Sequence, residues 1–233
     1  MLNFFKNNYG KTMLIYLSWW FILFGTSAIV KLLISPKYYM LFFYGGVILV
    51  TYIIYLVIPF IKLNRLRFNH YIKSIKLQMT FQSWVVSILL LLILFLGIGV
   101  HSKLGQTELI LASFGGFNWF IYMQPPLVEE LLFRGLIPSF FYKTSTKFLV
   151  SNTLFATLHI KQGFQGIIIS FILGALLYFL VKYTQSLIPS MLAHYIINAN
   201  LSLALLSVLF LTMILIMFSI VKTKKETNHY ERL

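Results

Sequence analysis

Cysteine is absent from the 233 residues, which excludes disulfides, thiolate metal sites and a cysteine nucleophile. Acidic side chains are nearly as scarce. Before residue 226 the only ones are Glu108, Glu129 and Glu130. Charged residues make up 10% of the chain, against about 25% in ordinary soluble domains. Hydrophobic residues reach 59% and the mean hydropathy is +0.86. No water-soluble core of this size could hide so much apolar surface, so lipid is the expected solvent for most of the chain. There is no repeat of fixed period and no His-Glu-x-x-His helix of the zinc-protease kind.

What is present is a strong excess of basic residues, with a net charge of +14. In a soluble protein that excess would suggest nucleic acid. Here the basic residues fall in short gaps between apolar runs, as in loops facing an anionic leaflet, so the expected partner is the bilayer and not nucleic acid. The abundance of Ile, Phe, Lys, Tyr and Asn suits an AT-rich bacterial genome.

Apolar runs at roughly 12–34, 38–61 and 80–100 are each long enough to cross a bilayer. The first is too long for a signal-peptide core and lacks a clear cleavage site, so it is read as a retained span. The linker from Lys62 to Lys76 carries five basic residues, the strongest cytoplasmic signal in the chain. Residues 106–124 are apolar but interrupted by Gly115, Gly116 and Asn118; they suit a span, a re-entrant segment or the first half of a broken helix. Pro125-Pro126 is expected to end that segment and open a helix over 126–142. Further helices are expected at 147–160, 164–181 and 187–200, with a last apolar run at 202–221.

These runs predict an all-α fold, a polytopic transmembrane helix bundle of about eight spans with a conical or cavity-forming core. Residues 1–105 would form N-terminal spans, 106–222 a catalytic membrane core and 223–233 a polar tail. With 106–124 not crossing, fourteen loop and tail cations, among them Lys6, Lys11, Lys76, Lys143, Lys147, Lys182 and Arg232, share one side. Only four, Lys31, Lys37, Lys103 and Lys161, fall on the other, so both termini are expected in the cytoplasm of a multi-pass cell-membrane protein. If 106–124 crosses, Lys143 and Lys147 change sides.

A few strongly polar residues do not belong in lipid. An ionised side chain at membrane depth costs about 2.5–3.5 kcal/mol on insertion scales. Glu129, Glu130 and Arg134 nevertheless sit together in the first half of 126–142. His159 lies at the end of its helix, and His194 and Asn198 lie late in theirs. Because these helices alternate in direction, all six meet at one depth. Glu130 and Arg134, four apart, stack on one face, while Glu129 is turned about 100° away. His194 and Asn198 are likewise four apart, and Phe155 sits four before His159 as an apolar wall. A carboxylate and an imidazole in a dry pocket can share and deprotonate a water, and a second imidazole and an amide can donate to an oxyanion. Each residue alone has a plainer reading, as an ion pair or interhelical hydrogen-bonding group. His70, His101 and His229 are read as solvated.

Glu129-Glu130-x-x-x-Arg134, Phe155-x-x-x-His159 and His194-x-x-x-Asn198 together resemble the three-part signature of the CAAX-protease and bacteriocin-processing (CPBP or Abi) intramembrane peptidases. The resemblance covers residues 125–200, including Phe133-Arg134-Gly135. It implies that Glu129 and His159 activate the water, that His194 and Asn198 form the oxyanion hole, and that Glu130 and Arg134 support the site. The family is often labelled metalloprotease. No cofactor is required in the favoured reading, and zinc on Glu129, His159 and His194 is the alternative. The expected substrate is a peptide or membrane-protein segment, cut in peptide maturation or bacteriocin self-immunity. A bacterial source would argue against a prenylated CAAX substrate. Two other classes stay open at this point: a non-proteolytic immunity or scaffold protein, and a proton-coupled transporter.

Overall fold

The computed structural model describes residues 7–115 and 118–230, with side chains as far as residue 219 except at 113. Lys6, Gly116, Arg232 and the side chains of Lys222, Lys224, Lys225 and His229 lie outside that description. Among the described residues the fold is all-helical, without strands.

The helices begin where the sequence supplies caps. Asn7 accepts from the Gly10 amide at 2.6 Å and starts α1 (Asn8–Leu33). After a short loop, α2 (Pro36–Lys62) opens on a proline and includes a π-helical turn at Ile53–Val57. Asn64 caps α3 (Arg65–Ser74), a cationic helix with no buried residue, inside the stretch expected to be a simple linker. Its Tyr71 hydroxyl donates to the Tyr55 carbonyl oxygen at 2.6 Å and ties it down onto α2. Thr80 and Ser83 form a reciprocal capping box at the start of α4 (Phe81–Lys103). At its other end His101 is buried against Gln106, so the reading of this histidine as solvated is corrected.

Helix α5 (Thr107–Phe114) has eight residues and is about 12 Å long, too short to cross. The next helix, α6, corrects a second expectation. It starts at Asn118, runs through Pro125 and Pro126 to Glu130, continues as a π-helical turn over Leu131–Leu136 and ends at Ser139. The prolines are interior and do not open a helix. They withhold two amides from the carbonyls four residues earlier, and neighbouring helices can shield such a defect within a membrane. Helices α7 (Thr144–Thr157), α8 (Gly163–Thr184), α9 (Ile188–Asn198) and α10 (Ser202–Tyr230) follow.

Five helices, α1, α2, α4, α8 and α10, are long and apolar enough to cross a membrane on those grounds alone. The other three expected spans fall on α6, α7 and α9; α7 and α9, with 14 and 11 residues, are shorter than the hydrocarbon core is thick. Helix α6 is central. It packs on α2 and α9, while its π turn meets α7. Every residue from Leu131 to Pro138 is buried. Lipid tails are as apolar as the leucine, isoleucine and phenylalanine side chains among them, so what their burial contributes is close packing. Outward-facing residues such as Phe21, Phe24, Leu32 and Phe164 are exposed, as expected of surfaces that face lipid.

Lys76, Lys147 and Lys182 line one pocket. The turns before α4, at the start of α7 and at the end of α8 therefore share one side of the bundle. That agrees with one crossing, by α6, between α4 and α7, with α5 not crossing, and it keeps Lys147 on the side of Lys76.

Candidate active site

Glu130 is completely buried and is the centre of the polar cluster. One of its oxygens, Oε1, lies 3.2 Å from Arg134 Nη1 and 3.0 Å from His194 Nδ1. The other, Oε2, accepts from the Ser190 hydroxyl. Each contact is a charge-assisted interaction in a dry setting, where such bonds are strong and a missing partner is costly. Glu129, one residue earlier, turns elsewhere. Its side chain is 14% exposed, and Oε2 lies 4.0 Å from His194 Nε2. His194 thus stands between the two adjacent carboxylates, held by one and facing the other.

Two of the partners of Glu130 come from one face of α9. Ser190, His194 and Asn198 follow at intervals of four, a stripe along a helix that begins at Ile188-Pro189. Asn198 is the last residue of that helix.

His159 lies just past the end of α7, before the short 3₁₀ turn Ile160–Gln162. Its Nδ1 is 3.2 Å from the Phe155 carbonyl oxygen. Donation to that acceptor leaves Nε2 with its lone pair for another group. The Phe155 ring is the shared wall of the site. It lies 5.1 Å from the His159 ring, 6.0 Å from the His194 ring and 3.9 Å from the Arg134 guanidinium carbon. His159, His194, Asn198 and Phe155 all border a cavity of about 190 Å³ that also touches Gln162 and Ser170.

The backbone around the cluster leaves no spare room. A Cβ on Gly135 would sit 2.9 Å from the Ile75 carbonyl oxygen. One on Gly174 would sit 2.9 Å from both Arg134 Nη2 and Asn152 Oδ1, and 3.0 Å from Phe155 Cδ1. These are distances that real Cβ atoms essentially never show, so the glycines let the neighbouring helices approach.

The structure thus brings His159, His194 and Asn198 to one cavity and sets Glu129 against His194. It pairs Glu130 with Arg134. No ion-pair contact joins Glu129 to His159 among the described residues. The same residues contain no group of three His, Asp or Glu side chains that could hold a metal. Glu129, His159 and His194 are not gathered into such a group.

Sequence reasoning missed three residues. Ser190 was legible in principle, four before His194 on the same face. Asn152, completely buried, lies seven before His159 and three before Phe155, also on one face. Gly174 carries no local signal at all.

A family model described as type II CAAX prenyl endopeptidase Rce1-like matches residues 83–200 of the chain. The chain belongs to this family. The match runs from the first turn of α4 to just beyond Asn198 and so takes in every residue of the cluster. No curated protein and no solved structure matches the chain. Family membership identifies a membrane protease that acts on peptide substrates.

Proposed function

We propose that the chain is an intramembrane endopeptidase that hydrolyses a peptide bond with water activated by Glu129 and His159. The observation that carries this reading is the convergence of His159, His194 and Asn198 on one cavity, with Glu129 beside His194. A water between Glu129 and His159 gives up a proton as its oxygen attacks the scissile carbonyl carbon. His194 Nε2–H and the Asn198 amide donate to the oxyanion that develops. The proton then passes to the leaving nitrogen as the C–N bond breaks, which yields a carboxylic acid and an amine without a covalent enzyme intermediate.

Each supporting residue has a physical task. Glu130 accepts from His194 Nδ1 and fixes the ring, so that Nε2 is the atom presented to the cavity. The two ring nitrogens of His194 face different carboxylates, Nδ1 toward Glu130 at 3.0 Å and Nε2 toward Glu129 at 4.0 Å. Arg134 neutralises Glu130, and Ser190 occupies its second oxygen. Phe155 excludes water from one side of both imidazoles.

Cleavage of a candidate membrane peptide by purified Glu129→Gln protein tests the proposal. Loss of a general base costs about 10²–10⁴-fold in rate. Wild-type turnover by a well-folded variant would overturn it. Protection against a bacteriocin that survives Glu129→Ala combined with His159→Ala would point instead to a protein that binds without cutting.

A further inference from the structure

On the face of Arg134 away from the catalytic cavity lies a second pocket, of about 260 Å³. It is lined by Lys76, Lys147 and Lys182 and by Ser74, Ser139 and Thr144; the Ser74 and Ser139 hydroxyls donate to the Tyr71 and Leu136 carbonyl oxygens, so the lysines are the main donors. No carboxylate lines it among the described residues. We infer that this pocket binds a phosphate oxyanion, carried either by a lipid headgroup or by a small soluble phosphate.

The donor set is the argument. Three lysines supply three positive charges as point donors, and lysine in that role is a common phosphate ligand. Lys76 gives one of its protons to Gln185 Oε1 and keeps two for a ligand. Burial, and then the neighbouring Lys147 charge, hold the Lys76 ammonium below its ordinary pKa, and an anion between them would relieve that repulsion. Helix α7 starts at Thr144 in the pocket wall, and no side chain caps its first amides. Arg134 closes the inner wall. It is 2% exposed, and none of its guanidinium nitrogens makes a hydrogen bond beyond the ion-pair contact with Glu130.

The pocket is also fixed in place. Lys76 and Gln185 both adopt the left-handed backbone conformation, at φ of 59° and 55°. The Leu187 amide donates to the Lys76 carbonyl oxygen at 2.8 Å, and the Thr80 hydroxyl donates to the Thr184 carbonyl oxygen at 2.6 Å. These bonds join the turn before α4 to the turn after α8. The volume is below the roughly 300–1,000 Å³ of pockets for drug-sized ligands and suits a headgroup-sized one. Its place at the ends of α6 and α8, on the lysine-rich side, is where anionic headgroups lie.

The test uses the full chain in a non-ionic detergent and follows its thermal midpoint against inorganic phosphate, short-chain phosphatidylglycerol and short-chain phosphatidylcholine. A saturable rise is expected with an anionic probe and none with phosphatidylcholine. A response to inorganic phosphate identifies a soluble ligand; a response to phosphatidylglycerol alone identifies a lipid headgroup. Lys76→Gln with Lys147→Gln should weaken the apparent affinity at least about tenfold, since hydrogen bonds to charged groups are worth 1.5–3 kcal/mol and 1.4 kcal/mol is tenfold. Lys62→Gln with Lys73→Gln removes the same charge from exposed positions outside the pocket and should leave it within about twofold of wild type. If the first pair does not fold, Lys182→Gln, at an exposed position, takes its place. No saturable response to either anionic probe, or equal weakening by the pocket and control variants, would overturn the inference.

Discussion

Truncating Glu130 to alanine should unfold the protein more readily than any change to Glu129, although the two are adjacent and chemically identical. Glu130 is completely buried and meets Arg134 at 3.2 Å, His194 at 3.0 Å and the Ser190 hydroxyl. Its loss leaves a buried guanidinium without a counter-charge, which costs about 3–5 kcal/mol. Neutral interhelical hydrogen bonds in membranes average about 0.6 kcal/mol and reach about 1.7 at most, so the two cases separate cleanly. The side chain of Glu129 is partly exposed and stands 4.0 Å from His194 Nε2, beyond hydrogen-bond distance. Glu129→Gln should therefore change stability by less than about 1 kcal/mol while lowering turnover by about 10²–10⁴-fold. Unfolding of both variants in detergent, followed by tryptophan fluorescence, gives the comparison. A double variant with Arg134→Met in addition to Glu130→Ala should recover part of the loss, because the orphaned charge is gone. A Glu130→Ala cost below about 1.7 kcal/mol, or strictly additive losses in the double variant, would refute the ion-pair reasoning.

Three further outcomes are expected. Gly174→Ala places a methyl group 2.9 Å from Arg134 Nη2 and Asn152 Oδ1, so it should cost about 1–3 kcal/mol and slow cleavage, measured by unfolding and peptide turnover together. Asn198→Ala should lower kcat by about 10²–10³-fold, the usual cost of one oxyanion donor, with the unfolding midpoint nearly unchanged. Chelation should leave cleavage unaffected and the purified protein should carry no stoichiometric zinc; elemental analysis with an activity assay checks both, and chelator-sensitive activity with one zinc per chain would reverse the metal-free mechanism.

Much of this arrangement could be read from the sequence because lipid makes polar residues informative. Glu129, Glu130, Arg134, His159, His194 and Asn198 stood out against apolar helices, and the alternating direction of those helices placed them at one depth before any contact was known. Helix periodicity then separated the two glutamates, since four-residue spacing ties Arg134 to Glu130 and not to Glu129. The missing parts fall into three physical kinds. Pro125-Pro126 misled because a proline pair is a strong stop in water, whereas α6 carries it in its interior, packed between α2 and α9. Ser190 and Asn152 were lost among small polar residues that are common in membrane helices. Gly174 could not be inferred from its neighbours, because its role depends on how closely α8 approaches Arg134, Asn152 and Phe155.

Arg134 explains why the two halves of α6 must be built together. Its side chain leaves the π-helical turn with one face on the Phe155 ring and one nitrogen on Glu130, while its remaining surface closes the lysine-lined pocket. The Phe155 ring in turn borders both imidazoles, so Arg134, His159 and His194 pack around one ring. A π turn supplies this geometry within a continuous helix, and such turns are concentrated at functional sites. An anion in the lysine pocket would meet the same guanidinium that neutralises Glu130, and Glu130 is what orients His194. Arg134 therefore borders the lysine pocket on one side and, on the other, the carboxylate that holds His194.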